Sequence, residues 1–159
     1  MNIFFPEHDK MLRKLSEYNV RYLLIGGYAV NYYGYHRTTG DMDLWISSDA
    51  VNIKKLQDIF LKMGFLDRDV AHLSTLDFEQ PNVFSIGAEP QRIDFITRVN
   101  IVQFDEAYAQ KNRVQIEEGF SIDIVHYRDL VTMKLNTGRL KDKADVEELQ
   151  KVNRDANKG

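Results

Sequence analysis

Cysteine is absent from the 159 residues, which excludes a disulfide framework, a thiolate metal site and a thiol nucleophile. No apolar run approaches the ~20 residues that a membrane helix requires. Residues 1–9 lack the charged start and long apolar stretch of a secretory signal. Positive charge is not in excess: 21 Lys and Arg against 24 Asp and Glu leave a net charge of −3. No global field therefore draws the chain to nucleic acid, and any RNA contact needs a local patch. There is no internal repeat, low-complexity tract or linker. The expectation is a cytoplasmic protein with no membrane contact. What is present, 43% hydrophobic and 28% charged residues, is ordinary for a globular chain of this length. The chain is expected to form a single domain over 1–159, with a core over 20–125 and closing helices over 126–154.

Hydrophobic spacing predicts a helix over 7–18, with Met11, Leu12, Leu15 and Tyr18 on one face. Residues 20–25 read as a buried strand ending in Gly26-Gly27, followed by a short helix over 28–35 and a strand over 42–46. Ser48 is the expected N-cap of a helix over 49–63 that Gly64 closes. Residues 65–81 suggest no more than a loop with a short strand or helix. Residues 82–86 and 91–97 read as a hairpin, 104–110 as a short helix, and 114–116 with 120–125 as a second hairpin. Helices over 126–136 and 142–153 end the chain. The expected fold class is α/β or α+β: a small mixed β-sheet flanked by helices.

The chemistry concentrates in Gly40-Asp41-Met42-Asp43-Leu44-Trp45-Ile46. A strand has a side-chain period of two, so Asp41 and Asp43 share a face. Two bare carboxylates side by side repel, and a hard divalent cation, magnesium above all, removes that cost. An acid-x-acid pair is not rare by itself. With 24 acids in 159 residues chance supplies about 3–4, and the chain holds five. The others, Glu7/Asp9, Asp67/Asp69, Asp77/Glu79 and Asp145/Glu147, read as solvated faces. Two features set Asp41/Asp43 apart. Upstream, an apolar strand breaks off in Gly26-Gly27, where missing side chains and free N–H groups suit an anion such as a phosphate. Downstream, Asp94 sits among apolar neighbours in Arg92-Ile93-Asp94-Phe95-Ile96, an expensive place for a lone acid. The three acids suit two magnesium ions roughly 3.5–4 Å apart, with Asp41 and Asp43 bridging and Asp94 completing one site and helping to deprotonate an attacking hydroxyl.

Other candidates carry less. His8, His36, His72 and His126 show no metal-ligand spacing. Tyr28, Tyr32, Tyr33 and Tyr35 crowd one short helix and read as core before they read as a base-stacking surface. Ser47-Ser48 is a cap rather than a nucleophile. Arg37, in the loop leading to the acids, suits either a phosphate or base edge or the neutralising of the carboxylates.

Ile25-Gly26-Gly27, thirteen intervening residues, Asp41-Met42-Asp43 and the later Asp94 together resemble the signature of the nucleotidyltransferase superfamily related to DNA polymerase beta. Residues 130–145 are similar to the bacterial abortive-infection-type and minimal nucleotidyltransferases. The resemblance implies transfer of a nucleotidyl group from a nucleoside triphosphate to an acceptor hydroxyl, with two magnesium ions and release of pyrophosphate. Carried over residue by residue, it implies Lys134 and Asp142 in nucleotide handling, with Asp145 competing for the second place. Toxin-like relatives imply an RNA acceptor, especially a tRNA end, and an antitoxin partner. Antibiotic-modifying relatives imply a small-molecule hydroxyl, and a protein side chain is a third option. For an RNA, Arg139, Lys141 and Lys143 supply the local contact; otherwise these charges and Lys134 are a solvated surface. The competing class is a non-catalytic nucleotide-binding or regulatory module of the same fold, and the blandest alternative is a structural domain whose acids are surface groups.

Overall fold

The computed structural model describes residues 4–76 and 80–158, with side chains as far as residue 154. The acid pair Asp77/Glu79 thus lies outside the described residues. Six strands form one mixed sheet: β1 (Tyr22–Ile25), β2 (Met42–Ile46), β3 (Val83–Ile86), β4 (Ile93–Ile96), β5 (Asn112–Glu117) and β6 (Phe120–Ile124), in the order β3-β4-β2-β1-β6-β5. β1 runs antiparallel to β2 and parallel to β6, while β2 runs parallel to β4. Both expected hairpins are present, β3 with β4 and β5 with β6. Helices α1 (Pro6–Glu17), α2 (Gly26–Tyr32), α3 (Ala50–Lys62), α4 (Asp67–His72), α5 (Phe104–Ala109), α6 (Tyr127–Leu135) and α7 (Leu140–Lys158) flank the sheet. A 3-10 turn over Leu73–Thr75 extends α4, so residues 67–75 of the ambiguous stretch are helical. No helix among the described residues is long and apolar enough to cross a membrane.

Central strands are buried on both faces, which is why β1 reads as an unbroken apolar run. α1 starts on Pro6, whose fixed φ suits a first helical position, and buries Met11, Leu12 and Leu15. The N-cap of α3 is Asp49 rather than Ser48. Its carboxylate accepts from the Val51 and Asn52 N–H groups, and a carboxylate also suits the positive end of the helix. Gly64 follows the helix in the left-handed region, φ +92°, as its sequence position implied.

β4 is locked in place from the side opposite Asp94. Phe95 stacks on Phe84 at 5.2 Å and meets Phe60 edge-on at 5.4 Å, all within the core. The alternation of faces along the strand then fixes where Asp94 points. Phe95→Ala is expected to cost about 3–5 kcal/mol of stability by opening a cavity in this cluster. Urea unfolding checks this, and a loss under 1 kcal/mol would show that Phe95 does not anchor β4.

Candidate active site

The sheet order brings the end of β1 and the starts of β2 and β4 to the same edge. Asp43 stands opposite Ile25 on one side and Asp94 on the other. Neighbouring strands lie about 4.8 Å apart, so Asp43 and Asp94 are side by side on one face. Asp41 immediately precedes β2, and its Oδ1 accepts from the Arg92 N–H at 2.8 Å. The three candidate acids therefore lie at the same end of the sheet. Gly26 follows Ile25 directly, at φ +68°, and a Cβ there would collide with Asp43 Oδ2. A Cβ at Gly27 would collide with Thr39 Oγ1. Both glycines are needed for the close approach of β1 to the acids and to the loop that carries Arg37.

A polar cavity of about 490 Å³ opens above these residues. Gly26, Gly27, Arg37, Asp41, Asp43, Asp94, Lys134 and Asp142 all line it, as do Thr39, Arg92, Arg139 and Lys141. None of the four crowded tyrosines does: Tyr28 is core, Tyr33 and Tyr35 pack against it, and Tyr32 is exposed. The histidines stay away from the acids as well. His8 is buried between the Tyr28 hydroxyl and the Gln91 carbonyl, and His126 caps α6.

The carboxylates are not equivalent. Arg92 holds Asp94 with both arms, Nε to Oδ1 at 2.7 Å and Nη2 to Oδ2 at 3.1 Å, and Ser85 Oγ donates to Oδ1 at 2.6 Å. Burial works against the Asp94 charge, but these donors outweigh it and keep the carboxyl below its ordinary pKa. Asp43 has no such cation partner. Burial first, then repulsion from Asp94 and Asp41, pushes it up to about 6. Arg92 thus does the neutralising that the sequence offered to Arg37.

Arg37 instead forks onto Asp145, with Nε to Oδ1 at 3.0 Å and Nη2 to Oδ2 at 3.2 Å. Asp145 also takes Lys134 Nζ at 2.9 Å, and Lys134 reaches Asp142 at 3.0 Å. Asp142 completes its shell with Thr137 Oγ1 and Arg139 Nε, and despite burial these donors hold its pKa below the ordinary value. Two sequence readings need correction here. Lys134 is buried, not a solvated charge, and Asp145 is buried rather than part of a solvated face. The reason is mutual: three cations, Arg37, Lys134 and Arg139, surround two carboxylates, so each buried charge is paired. Both carboxylates hold Lys134, but only Asp142 lines the polar cavity. Arg92 and Ser85 were missed altogether, although the strand period puts Arg92 on the face of Asp94 and the hairpin register puts Ser85 opposite it.

A divalent cation suits this donor set in kind. All the candidate ligands are hard oxygens, and Asp43 carries a charge that the surrounding acids disfavour. Among the described residues, however, no three acidic or histidine side chains stand gathered to hold a metal. Each oxygen of Asp94 accepts from Arg92.

The raised Asp43 pKa has a sign that can be tested. Unfolded, the group ionises near 3.8; folded, near 6. Folding therefore takes up a proton between these values, and stability falls as pH rises through that window. Without divalent cations, Asp43→Asn is expected to be more stable than the parent at pH 7–8 by about 1–3 kcal/mol, and to lose the decline between pH 4 and 6. Thermal melts across pH 4–8 check this; equal melting temperatures at pH 8 would mean that Asp43 is not strained.

Comparisons with known proteins agree with this architecture. No curated protein matches the chain. Among solved structures, the crystal structure of the lincosamide antibiotic adenylyltransferase LnuA with lincomycin bound is similar, with a TM-score of 0.56 and 16% identity. The match covers 96% of this chain and 99% of that one, and at this identity it speaks for the fold. Residues 5–159 match the family model described as "nucleotidyl transferase of unknown function" (DUF2204). The chain belongs to that nucleotidyltransferase family.

Proposed function

We propose that this nucleotidyltransferase uses a divalent cation, magnesium in the first instance, to move a nucleotidyl group from a nucleoside triphosphate to the hydroxyl of a small, partly apolar acceptor. The whole chain acts as one catalytic domain in this reading. The observation that carries it is the side-by-side placement of Asp43 and Asp94 on the border between two cavities of different character.

The first cavity, lined by Gly26, Gly27, Arg37, Lys134, Arg139 and Lys141, suits the triphosphate: backbone groups without side chains in the way, and cations around them. Displacement at the α-phosphorus is in line, so the attacking hydroxyl and the leaving pyrophosphate need separate space on either side of the acids. The second cavity, about 390 Å³, shares Gly26, Asp43, Asp94, Lys134, Arg139 and Asp142 with the first. Its remaining walls are largely apolar, with Ile25, Ile96 and Val83 from the sheet and Leu130 and Met133 from α6. Val83 is 60% exposed on an edge strand, an unusual place for an uncovered apolar side chain unless something packs there.

Asp41, Asp43 and Asp94 would hold the cations, which when bound would polarise the phosphoryl oxygens and lower the pKa of the attacking hydroxyl. The hydroxyl oxygen forms a bond to the α-phosphorus, the bond to the β-phosphate bridge breaks, and pyrophosphate leaves. Asp94 lies next to Asp43 at the mouth of the second cavity, the position from which a carboxylate accepts the hydroxyl proton. Arg37, Lys134 and Arg139 support the charge of the departing pyrophosphate.

An RNA acceptor would need cations tracking its backbone. The second cavity offers two cations, Lys134 and Arg139, and both also line the first cavity, which the triphosphate takes in this reading. The similar lincosamide antibiotic adenylyltransferase likewise binds a small molecule, lincomycin. Pyrophosphate release from each of the four triphosphates with magnesium, using lincomycin, aminoglycosides or total RNA as acceptor, tests the proposal. The expected result is release with a small hydroxyl compound, reduced at least about a thousandfold in Asp43→Ala. Val83→Asp is expected to raise the acceptor KM severalfold at unchanged triphosphate affinity. Release with RNA alone would replace the small acceptor with a tRNA-type one and revive the toxin reading. No release under any condition, with triphosphate still bound, would favour the non-catalytic module.

A further inference from the structure

We infer that Arg92 is a built-in cation that competes with the divalent metal for Asp94 and Asp41, and that the triphosphate releases the acids by drawing the guanidinium onto its phosphates. This inference rests on the metal-dependent reading above and adds an order to it: the metal gains affinity when the nucleotide is present.

The geometry of Arg92 is that of a charge surrogate. One guanidinium serves three carboxylates at once: Asp94 in a two-armed pair, Asp41 Oδ2 at 3.5 Å and Glu89 at 3.1 Å. Two of these are the acids that a metal would need, and the two-armed pair engages both oxygens of Asp94. A metal that took Asp94 and Asp41 as ligands would compete with the Arg92 guanidinium for them, and its affinity would be lowered by the strength of the contact it replaces.

The backbone at Arg92 is fixed, so the change is confined to its side chain. The Arg92 N–H is bound to Asp41, the next residue of the strand enters the β2–β4 register, and the preceding Gln91 carbonyl is fastened to α1 by His8. A carbonyl only accepts, so His8 carries its proton on Nε2, and Nδ1 accepts from the Tyr28 hydroxyl. The Arg92 side chain, by contrast, is 34% exposed and lines the polar cavity assigned to the triphosphate. Phosphate oxygens there offer the same forked acceptor geometry as Asp94. By linkage, if nucleotide strengthens metal binding, metal strengthens nucleotide binding by the same factor.

A merely structural Arg92 and a competing Arg92 make opposite predictions. If Arg92 only props up Asp94, its loss weakens metal binding; if it competes, its loss strengthens it. The measurement is calorimetric titration of Mn²⁺ into the nucleotide-free protein at constant ionic strength. Arg92→Gln is expected to raise Mn²⁺ affinity by about tenfold. Arg92→Lys keeps the charge but lacks the fork, and is expected to raise it by about threefold. Arg139→Gln removes one positive charge from the same cavity without touching Asp94 or Asp41, and is expected to change the affinity less than about twofold. Adding α,β-methylene-ATP is expected to raise Mn²⁺ affinity more in the parent than in Arg92→Gln. Unchanged or weaker Mn²⁺ binding by both Arg92 variants, with parent-like melting, overturns the inference. So does an equal gain in Arg139→Gln, which would reveal a bulk charge effect. Asp43→Ala separates the two levels. If it binds Mn²⁺ as the parent does, the metal-dependent reading itself fails; if it abolishes binding while the Arg92 variants show no gain, only the competition fails.

Discussion

Two aspartates facing each other across parallel strands are the constraint around which the rest of this protein is arranged. The β2–β4 register places Asp43 against Asp94, and the β1–β2 register places Ile25, and hence Gly26, against Asp43. Like charges at strand spacing in a half-buried site oppose folding. They persist because the sheet over-determines them from its other face, where Phe95, Phe84 and Phe60 pack as a tight aromatic cluster. The core thus holds in place an arrangement that electrostatics alone would disperse, a common signature of a site kept for chemistry.

The compensating cations are divided unequally, and that division gives the site its polarity. Arg92 quiets Asp94 and Asp41 from the β3–β4 side, while Lys134 lies near Asp43 from the helical side with its own charge shared between Asp142 and Asp145. Buried pairs of this kind add little net stability once desolvation is counted, but they fix geometry. Arg37 and Arg139 complete the chain at its two ends. The outcome is a rigid, cation-edged cavity on one side of the acids and a less polar one on the other.

Much of this was legible from the residues. The glycine pair, the acid-x-acid strand and Asp94 announce themselves because each is costly unless the others are near. The two hairpins and the closing helices follow from periodicity. What escaped were interactions set by pairing between distant segments. Arg92 is the exception, since it stands two residues from Asp94 on the same strand face, whereas Arg37 turns to Asp145 on α7, which nothing local foretells. Asp145 looked like one of several solvated acids because its partners, Arg37 and Lys134, come from different parts of the chain. Asp49 rather than Ser48 caps α3 for a local reason: its carboxylate sits where two free N–H groups converge, a distinction of one residue that patterning does not resolve.

The charge chain through Lys134 makes the terminal helical pair a working wall of the cavity and not an appendage to the sheet. The acids belong to strands that the core holds immobile, whereas Leu130, Met133 and Arg139 lie on α6 and the turn after it. Changes of side chain on that hairpin would remodel what the cavities admit without shifting a single carboxylate. In the proposed reading, selectivity therefore has a natural location: what the cavities admit can change on the helices while the aspartates stay where the sheet puts them.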